Sequence, residues 1–227
     1  MKEHTYRIVI PAAGAGKRMG ADRNKLMLTL RDRSIIEWTL DVFEQDPACL
    51  EIILAINPVE QIWFEDMTAQ YETPIRLVSG GRERQESVQR GLEVITEPGI
   101  VLIHDGARPF VTVDAIQRVV HAAATTGAAV LAVPIKDTVK RIQHDAIVET
   151  VPRDELMAAQ TPQAFQLEVI RTVHEKAATE FLGTDDASLI EWDGGTVTWV
   201  TGQYENIKVT TPDDLLFGEA ILTKRGK

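Results

Sequence analysis

The sequence predicts an α/β sandwich, a largely parallel sheet covered by helices, with one protruding hairpin. Three observations carry this. Short β-branched runs alternate with amphipathic stretches of helical period. Several of the runs are apolar throughout, as strands covered on both faces are. One pair of strand-like segments is polar and charged instead, and breaks the alternation.

In chain order, the strands are expected at residues 7–10, 51–56, 75–78, 100–104, 128–133 and 197–201. Ser34-Ile35-Ile36-Glu37 has the spacing of a capping box, in which the serine hydroxyl and the glutamate satisfy each other's exposed amides. It opens a helix running to about residue 44. Residues 58–70, 83–95 and 113–126 also have helical period, the last closed by Gly127. Residues 136–142 and 147–151 flank the polar turn Gln143-His144-Asp145 and predict an antiparallel hairpin. Helices are expected near 155–160 and 166–181. A last one starts at Thr211-Pro212, an N-cap followed by proline at the first helical position. The expectation is a single domain over 1–227 with an arm inserted at about 134–153.

The chain has 227 residues, enough to bury a large core without disulfides. It holds one cysteine, Cys49, which suits a reducing compartment and a cytoplasmic location. The 34 acidic and 24 basic residues leave a net charge of −10. That argues against a nucleic-acid partner, because tracking phosphates takes a broadly basic surface. No apolar run has the length of a membrane span or a secretion signal.

Five motifs carry the candidate chemistry. The first, Pro11-Ala12-Ala13-Gly14-Ala15-Gly16-Lys17-Arg18-Met19-Gly20, directly follows the first strand. Small residues there let backbone amides approach a phosphate, and Lys17, Arg18 and the following Lys25 supply charge. It lacks the leading glycine and the final Ser or Thr of a P-loop. A tight turn with solvated basic residues has the same spacing. The second, Gly80-Gly81-Arg82-Glu83-Arg84-Gln85-Glu86-Ser87, suits close contact with a planar base or an ordinary glycine turn before a solvated helical turn.

In the third, His104-Asp105-Gly106-Ala107-Arg108-Pro109, Asp105 at a strand end can hold Mg²⁺ together with phosphate oxygens and water, or simply fix the turn. Arg108 can grip a phosphate in a fork. His104 reads as a satisfied, buried histidine rather than a base. The fourth, Thr184-Asp185-Asp186-Ala187-Ser188, reads as a helix N-cap with acidic residues. The fifth, Asn206-Ile207-Lys208-Val209-Thr210, reads as a half-buried strand lysine with its ammonium in water. There is no Gly-x-Ser-x-Gly elbow and no zinc-type His/Cys spacing.

Together with Gln160-Thr161-Pro162-Gln163 and Thr211-Pro212-Asp213-Asp214-Leu215, these blocks resemble the 2-C-methyl-D-erythritol 4-phosphate cytidylyltransferase family over essentially the whole chain. The resemblance implies a three-layer, Rossmann-like nucleotidyltransferase fold with a mostly parallel twisted sheet. It implies a reaction between CTP and a sugar-alcohol phosphate with Mg²⁺, serving isoprenoid precursor synthesis, in a homodimer with exchanged arms.

Carried over position by position, the resemblance makes Arg18 and Lys25 transition-state stabilisers near the α-phosphate. Arg153 and Lys208 become the pair that positions the acceptor phosphate. Ala12, Ala13, Gly14, Gly16, Lys17, Gly81, Arg82 and Ser87 fall in the nucleotide-binding blocks. Asp105 becomes the metal and substrate contact, and Arg108, Thr138, Thr161 and Thr184 substrate contacts. Leu26 stands where glutamine is common in the family, and Arg82 where an acidic residue is expected. Ribitol 5-phosphate cytidylyltransferases share most of these blocks, though their first loop tends to read Leu-Ala-Gly-Gly. A non-catalytic nucleotide sensor on the same fold could dispense with Lys25, Arg153 and Lys208.

Overall fold

The computed structural model describes residues 4–14, 24–178 and 180–227. The expected strands form as β1 (Tyr6–Pro11), β4 (Cys49–Ile56), β5 (Ile75–Ser79), β6 (Ile100–Ile103), β7 (Ala128–Pro134) and β11 (Thr198–Thr201). Two short strands, β2 (Thr29–Leu30) and β3 (Arg33–Ser34), pair with each other. The arm is β8 (Val139–Gln143) with β9 (Ala146–Val151), and its turn residue His144 has φ +52°.

The helices are α1 (Ile35–Glu44), α2 (Gln61–Thr68), α3 (Arg84–Glu93), α4 (Val113–Thr126), α5 (Leu167–Ala177), α6 (Ala187–Trp192) and α7 (Pro212–Lys224). The Ser34/Glu37 capping box forms as expected, with the Ser34 amide donating to the Glu37 carboxylate at 2.8 Å. Gly127 closes α4 with φ +91°, a conformation that side chains disfavour. The single helix expected over 58–70 is instead a 3₁₀ turn, Pro58–Glu60, followed by α2.

The helix expected near residues 155–160 does not form. Instead a 3₁₀ turn, Arg153–Glu155, leads into a ten-residue strand, β10 (Met157–Gln166). The segment is rich in Leu, Met, Ala and Gln, which favour helices locally. Pairing decides otherwise. The strand is antiparallel to both β6 and β7 and fills the gap between them. Pro162, which would interrupt an ordinary ladder, falls where the register with β7 shifts, between Ala159 and Gln163.

The resulting seven-stranded sheet has the order β11-β7-β10-β6-β1-β4-β5. Only β10 runs against the rest. The period-2 pattern sorts its side chains into two cores. Ile8, Ile10, Ile52, Leu54 and Leu102 pack with α1, α2, α4 and α7, whereas Val9, Ile53, Val101 and Ile103 pack with α3, α5 and α6. These three layers hold the carboxyl ends of β6, β1 and, beyond β4, β5 along one edge of the sheet, the position where open α/β sheets bind ligands. Among the described residues, no helix is long and apolar enough to cross a membrane.

Candidate active site

The loops after β1, β5 and β6 and the segment after β11 enclose a cleft of about 590 Å³. On the β1 side, the Ala12 amide donates to the Ala55 carbonyl at 2.7 Å, and Asn24 donates to the Ala12 carbonyl at 2.7 Å. Ala12 is therefore buried, whereas Ala13 and Gly14 face the cleft. Gly80 lies against this loop so closely that a Cβ on it would sit 2.4 Å from that of Ala13. Gly16, Lys17 and Arg18 lie outside the described residues.

Gly81 and Arg82 form the opposite lip. The Ser87 hydroxyl accepts from the Gly81 amide at 2.9 Å and donates to the Glu83 carbonyl at 3.1 Å, so its visible bonds brace the loop. Lys25 stands on a 3₁₀ turn, Lys25–Met27, that the Asn24 side chain caps. Its ammonium reaches the Val209 carbonyl at 3.4 Å.

Asp105 forms the floor. Its carboxylate lies 2.8 Å from the Lys208 ammonium, 3.2 Å from Arg84 Nε and 3.7 Å from Arg108 Nε. Burial opposes its charge, but Arg84, Lys208 and Arg108 outweigh that and hold the carboxyl well below the usual carboxylate range. Asp105 thus uses its carboxylate on cations rather than on turn amides. Lys208 is not on a strand: residues 202–210 are irregular, fastened by the Val209 amide donating to the Ala107 carbonyl at 2.8 Å. The ammonium pairs with Asp105, while the side chain stays 35% exposed.

A second bay of about 240 Å³ shares Arg84, Asp105 and Lys208 with the first, and adds Arg108, Thr161 and Thr184. Arg108 donates to the Asn206 carbonyl at 2.8 Å. The Asn206 side chain in turn donates to the Thr161 carbonyl at 2.9 Å.

His104 is fully buried and completes a chain of donors. The Asp105 amide donates to the Thr161 hydroxyl at 2.9 Å. The Arg108 carbonyl, 3.0 Å from His104 Nε2, can only accept, so Nε2 carries the proton. Nδ1 then accepts from Thr161, also at 3.0 Å. Burial pushes the imidazole down to about 4. The expectation of a satisfied, non-basic histidine is met.

Thr138 and Arg153 stay out of both bays. Both are exposed on or beside the arm, and Arg153 donates to the Lys136 carbonyl at 2.8 Å. The residues that sequence reasoning passed over are Arg84 and Asp186. Arg84 was hidden in a charged first helical turn that reads as solvated. Asp186 occupies the N-cap position of α6, but the Ser188 amide is capped by Asp185 at 3.0 Å, while Asp186 turns to Arg84 at 2.7 Å.

A mostly parallel sheet whose carboxyl edge carries a small-residue loop, two connected bays and several convergent cations defines an α/β protein built to bring anionic ligands together. Comparison with known proteins narrows this. The profile of the 2-C-methyl-D-erythritol 4-phosphate cytidylyltransferase family matches residues 6–224. The enzyme of that name from Halalkalibacterium halodurans is 52% identical over 223 residues, covering 97% of this chain and 98% of the relative. That from Bacillus velezensis is 53% identical over 221 residues, covering 96% and 95%. The crystal structure of 4-diphosphocytidyl-2C-methyl-D-erythritol synthase from Anaerococcus prevotii superposes with a TM-score of 0.86 at 34% identity, covering 98% of this chain and all of that one. The chain belongs to the 2-C-methyl-D-erythritol 4-phosphate cytidylyltransferase family.

Proposed function

We propose that the chain transfers the cytidylyl group of CTP to 2-C-methyl-D-erythritol 4-phosphate. The products are 4-diphosphocytidyl-2-C-methyl-D-erythritol and pyrophosphate, a step of isoprenoid precursor synthesis. A phosphate oxygen of the acceptor bonds to the α-phosphorus as the bond to the pyrophosphate breaks. The observation that supports this most is the junction of the two bays at Asp105 and Lys208, one bay beside the glycine loops and the other beside Arg108 and Thr161.

The attacking group is a phosphate monoester, largely dianionic at neutral pH, so the reaction takes no general base. His104, neutral and bonded on both nitrogens, fits that. What remains is to hold two polyanions together and to meet the charge that builds on the α-phosphate. In this reading Lys25 and Arg18 stabilise that charge, and Lys208 with Arg153 positions the acceptor phosphate. Ala12, Ala13, Gly14, Gly81 and Ser87 shape the cytidine site.

Mg²⁺ is part of the proposal. A Mg²⁺ shared with phosphates takes only one or two carboxylates from a protein. Asp105, ionised and bordering both bays, fits as that carboxylate. When bound, the ion would neutralise phosphate charge and polarise the α-phosphoryl group.

The arm supports the proposed dimer. Among the described residues its strands pair only with each other, and Ile142, Ile147 and Val148 are 69%, 65% and 52% exposed. An isolated two-stranded hairpin is marginal in water. Packed on a two-fold partner, it would bring Thr138 and Arg153 to the neighbour's second bay. A cytoplasmic location completes the proposal.

The test is release of pyrophosphate on mixing enzyme, CTP and Mg²⁺ with 2-C-methyl-D-erythritol 4-phosphate or with ribitol 5-phosphate. Turnover with the first and not the second is expected. Turnover with ribitol 5-phosphate alone would reassign the acceptor, and none with either would leave a nucleotide-binding protein.

A further inference from the structure

Behind the cleft floor runs a line of charged groups that the proposed reaction leaves without a role. Arg84 Nε donates to Asp105 Oδ1 at 3.2 Å, and Arg84 Nη1 donates to Asp186 Oδ2 at 2.7 Å. The other Asp186 oxygen lies 3.1 Å from His174 Nε2. The Asp186 and His174 side chains are each 1% exposed. Burial opposes the Asp186 charge, but Arg84 and then His174 keep its pKa lowered. An ionised carboxylate only accepts, so His174 Nε2 carries the proton that meets it. His174 Nδ1 is buried with no hydrogen-bond partner among the described residues.

This line is not what attaches α5 and α6 to the sheet. Val88, Leu92, Ile170, Val173 and Leu189 already form a continuous apolar core there. A buried carboxylate adds cost to such a core unless it is paired. What it adds uniquely is orientation. Arg84 borders both bays, and a lone flexible guanidinium there would follow whichever phosphate arrived. With one nitrogen on Asp186, its fork stays turned so that another meets Asp105. His174 occupies the second Asp186 oxygen and stops the carboxylate rotating away.

We propose that His174 is a positioning residue for cytidylyl transfer: through Asp186 it locks Arg84, and through Arg84 it fixes the Asp105 carboxylate where the two bays meet. The inference rests on the proposed function for the reaction that it serves, but the coupled geometry stands independently.

Two variants of the full-length enzyme test it. His174→Phe keeps an aromatic ring and removes the Nε2 donor; His174→Gln restores an N–H of similar reach. His174→Phe is expected to lower kcat per folded enzyme, assayed well below Tm, about tenfold, with KM for CTP changed less than about twofold. Tm falls as well, because one oxygen of the buried Asp186 loses its donor. His174→Gln recovers most of both losses. A purely structural role would lower Tm in His174→Phe and leave kcat per folded enzyme unchanged, and that result overturns the proposal, as does a kcat loss that His174→Gln fails to recover. The third measurement does not depend on turnover. Coupling is reciprocal, so Asp105→Asn in the cleft should shift the ¹⁵N resonance of His174 Nε2. An unmoved resonance overturns the proposal even if His174→Phe fails to fold. If wild type forms no cytidylyl product, the functional reading falls, and the resonance still decides the coupling.

Discussion

The Lys208 ammonium lies 2.8 Å from the Asp105 carboxylate, joining the segment after β11 to the end of β6 at the meeting point of the two bays. With Arg84 and Arg108 beside it, this one carboxylate faces three cations. These cations outweigh the cost of burial and hold the Asp105 carboxyl well below the usual carboxylate range.

Asp105→Asn should therefore raise the Mg²⁺ concentration needed for half-maximal activity while leaving the fold intact. A hard cation prefers an anionic oxygen, and the amide keeps the shape without the charge. A Mg²⁺ titration of activity checks this; an unchanged midpoint would reduce Asp105 to an anchor for Lys208 and Arg84.

Lys25→Ala should act mainly on kcat. Its ammonium sits at the cleft wall, 3.4 Å from the Val209 carbonyl, and in the proposed mechanism it meets charge that develops only in the transition state. Loss of one preorganised donor of this type costs about 3–4 kcal/mol, or ~10²–10³ in rate. Steady-state kinetics separate this from uniform binding, which would raise KM for CTP at constant kcat.

Gly80→Ala should destabilise the protein by about 1–3 kcal/mol, because the new Cβ and that of Ala13 are both too short to move without their backbones. The displaced loop is one wall of the cleft that the proposed function assigns to CTP, so KM for CTP should rise as well. Urea unfolding and steady-state kinetics measure the two effects; an unaltered KM would separate the Ala13 loop from nucleotide binding.

Acid should cost stability through His104. Its folded pKa, about 4, lies below the usual histidine value near 6.5, so the unfolded chain takes up the proton first. The stabilisation is complete above about pH 6.5 and is lost as pH falls towards 4. Its full size is on the order of 3 kcal/mol. His104→Gln should flatten the pH dependence of the urea midpoint across that window, and an equally steep dependence in the variant would assign it to other groups.

The shared-site dimer predicts complementation. Lys25→Ala and Arg153→Ala are each expected to be nearly inactive. If the arm serves the neighbour, each mixed dimer has one site with both lesions and one with neither. Random exchange then makes about half the dimers mixed and restores roughly a quarter of wild-type activity. If the arm serves its own subunit, every site keeps one lesion and activity stays low. Subunit exchange followed by mass spectrometry is the control.

Local chemistry made much of this protein legible in its sequence. Ile8, Val9 and Ile10 announce a strand covered on both faces, Ser34 and Glu37 announce a helix start, and the glycine loops announce a ligand edge. Each depends on neighbours a few residues away. What only the tertiary structure decided depends on partners far along the chain. The Ala- and Met-rich start of β10 favours a helix on its own and becomes a strand because β6 and β7 offer two unpaired edges. Arg84 and Asp186 look like solvated residues at helix starts until folding buries them together with His174. Side-chain period and capping are short-range effects written in adjacent residues, whereas strand partners and buried ion pairs are set by which surfaces the whole chain brings into contact.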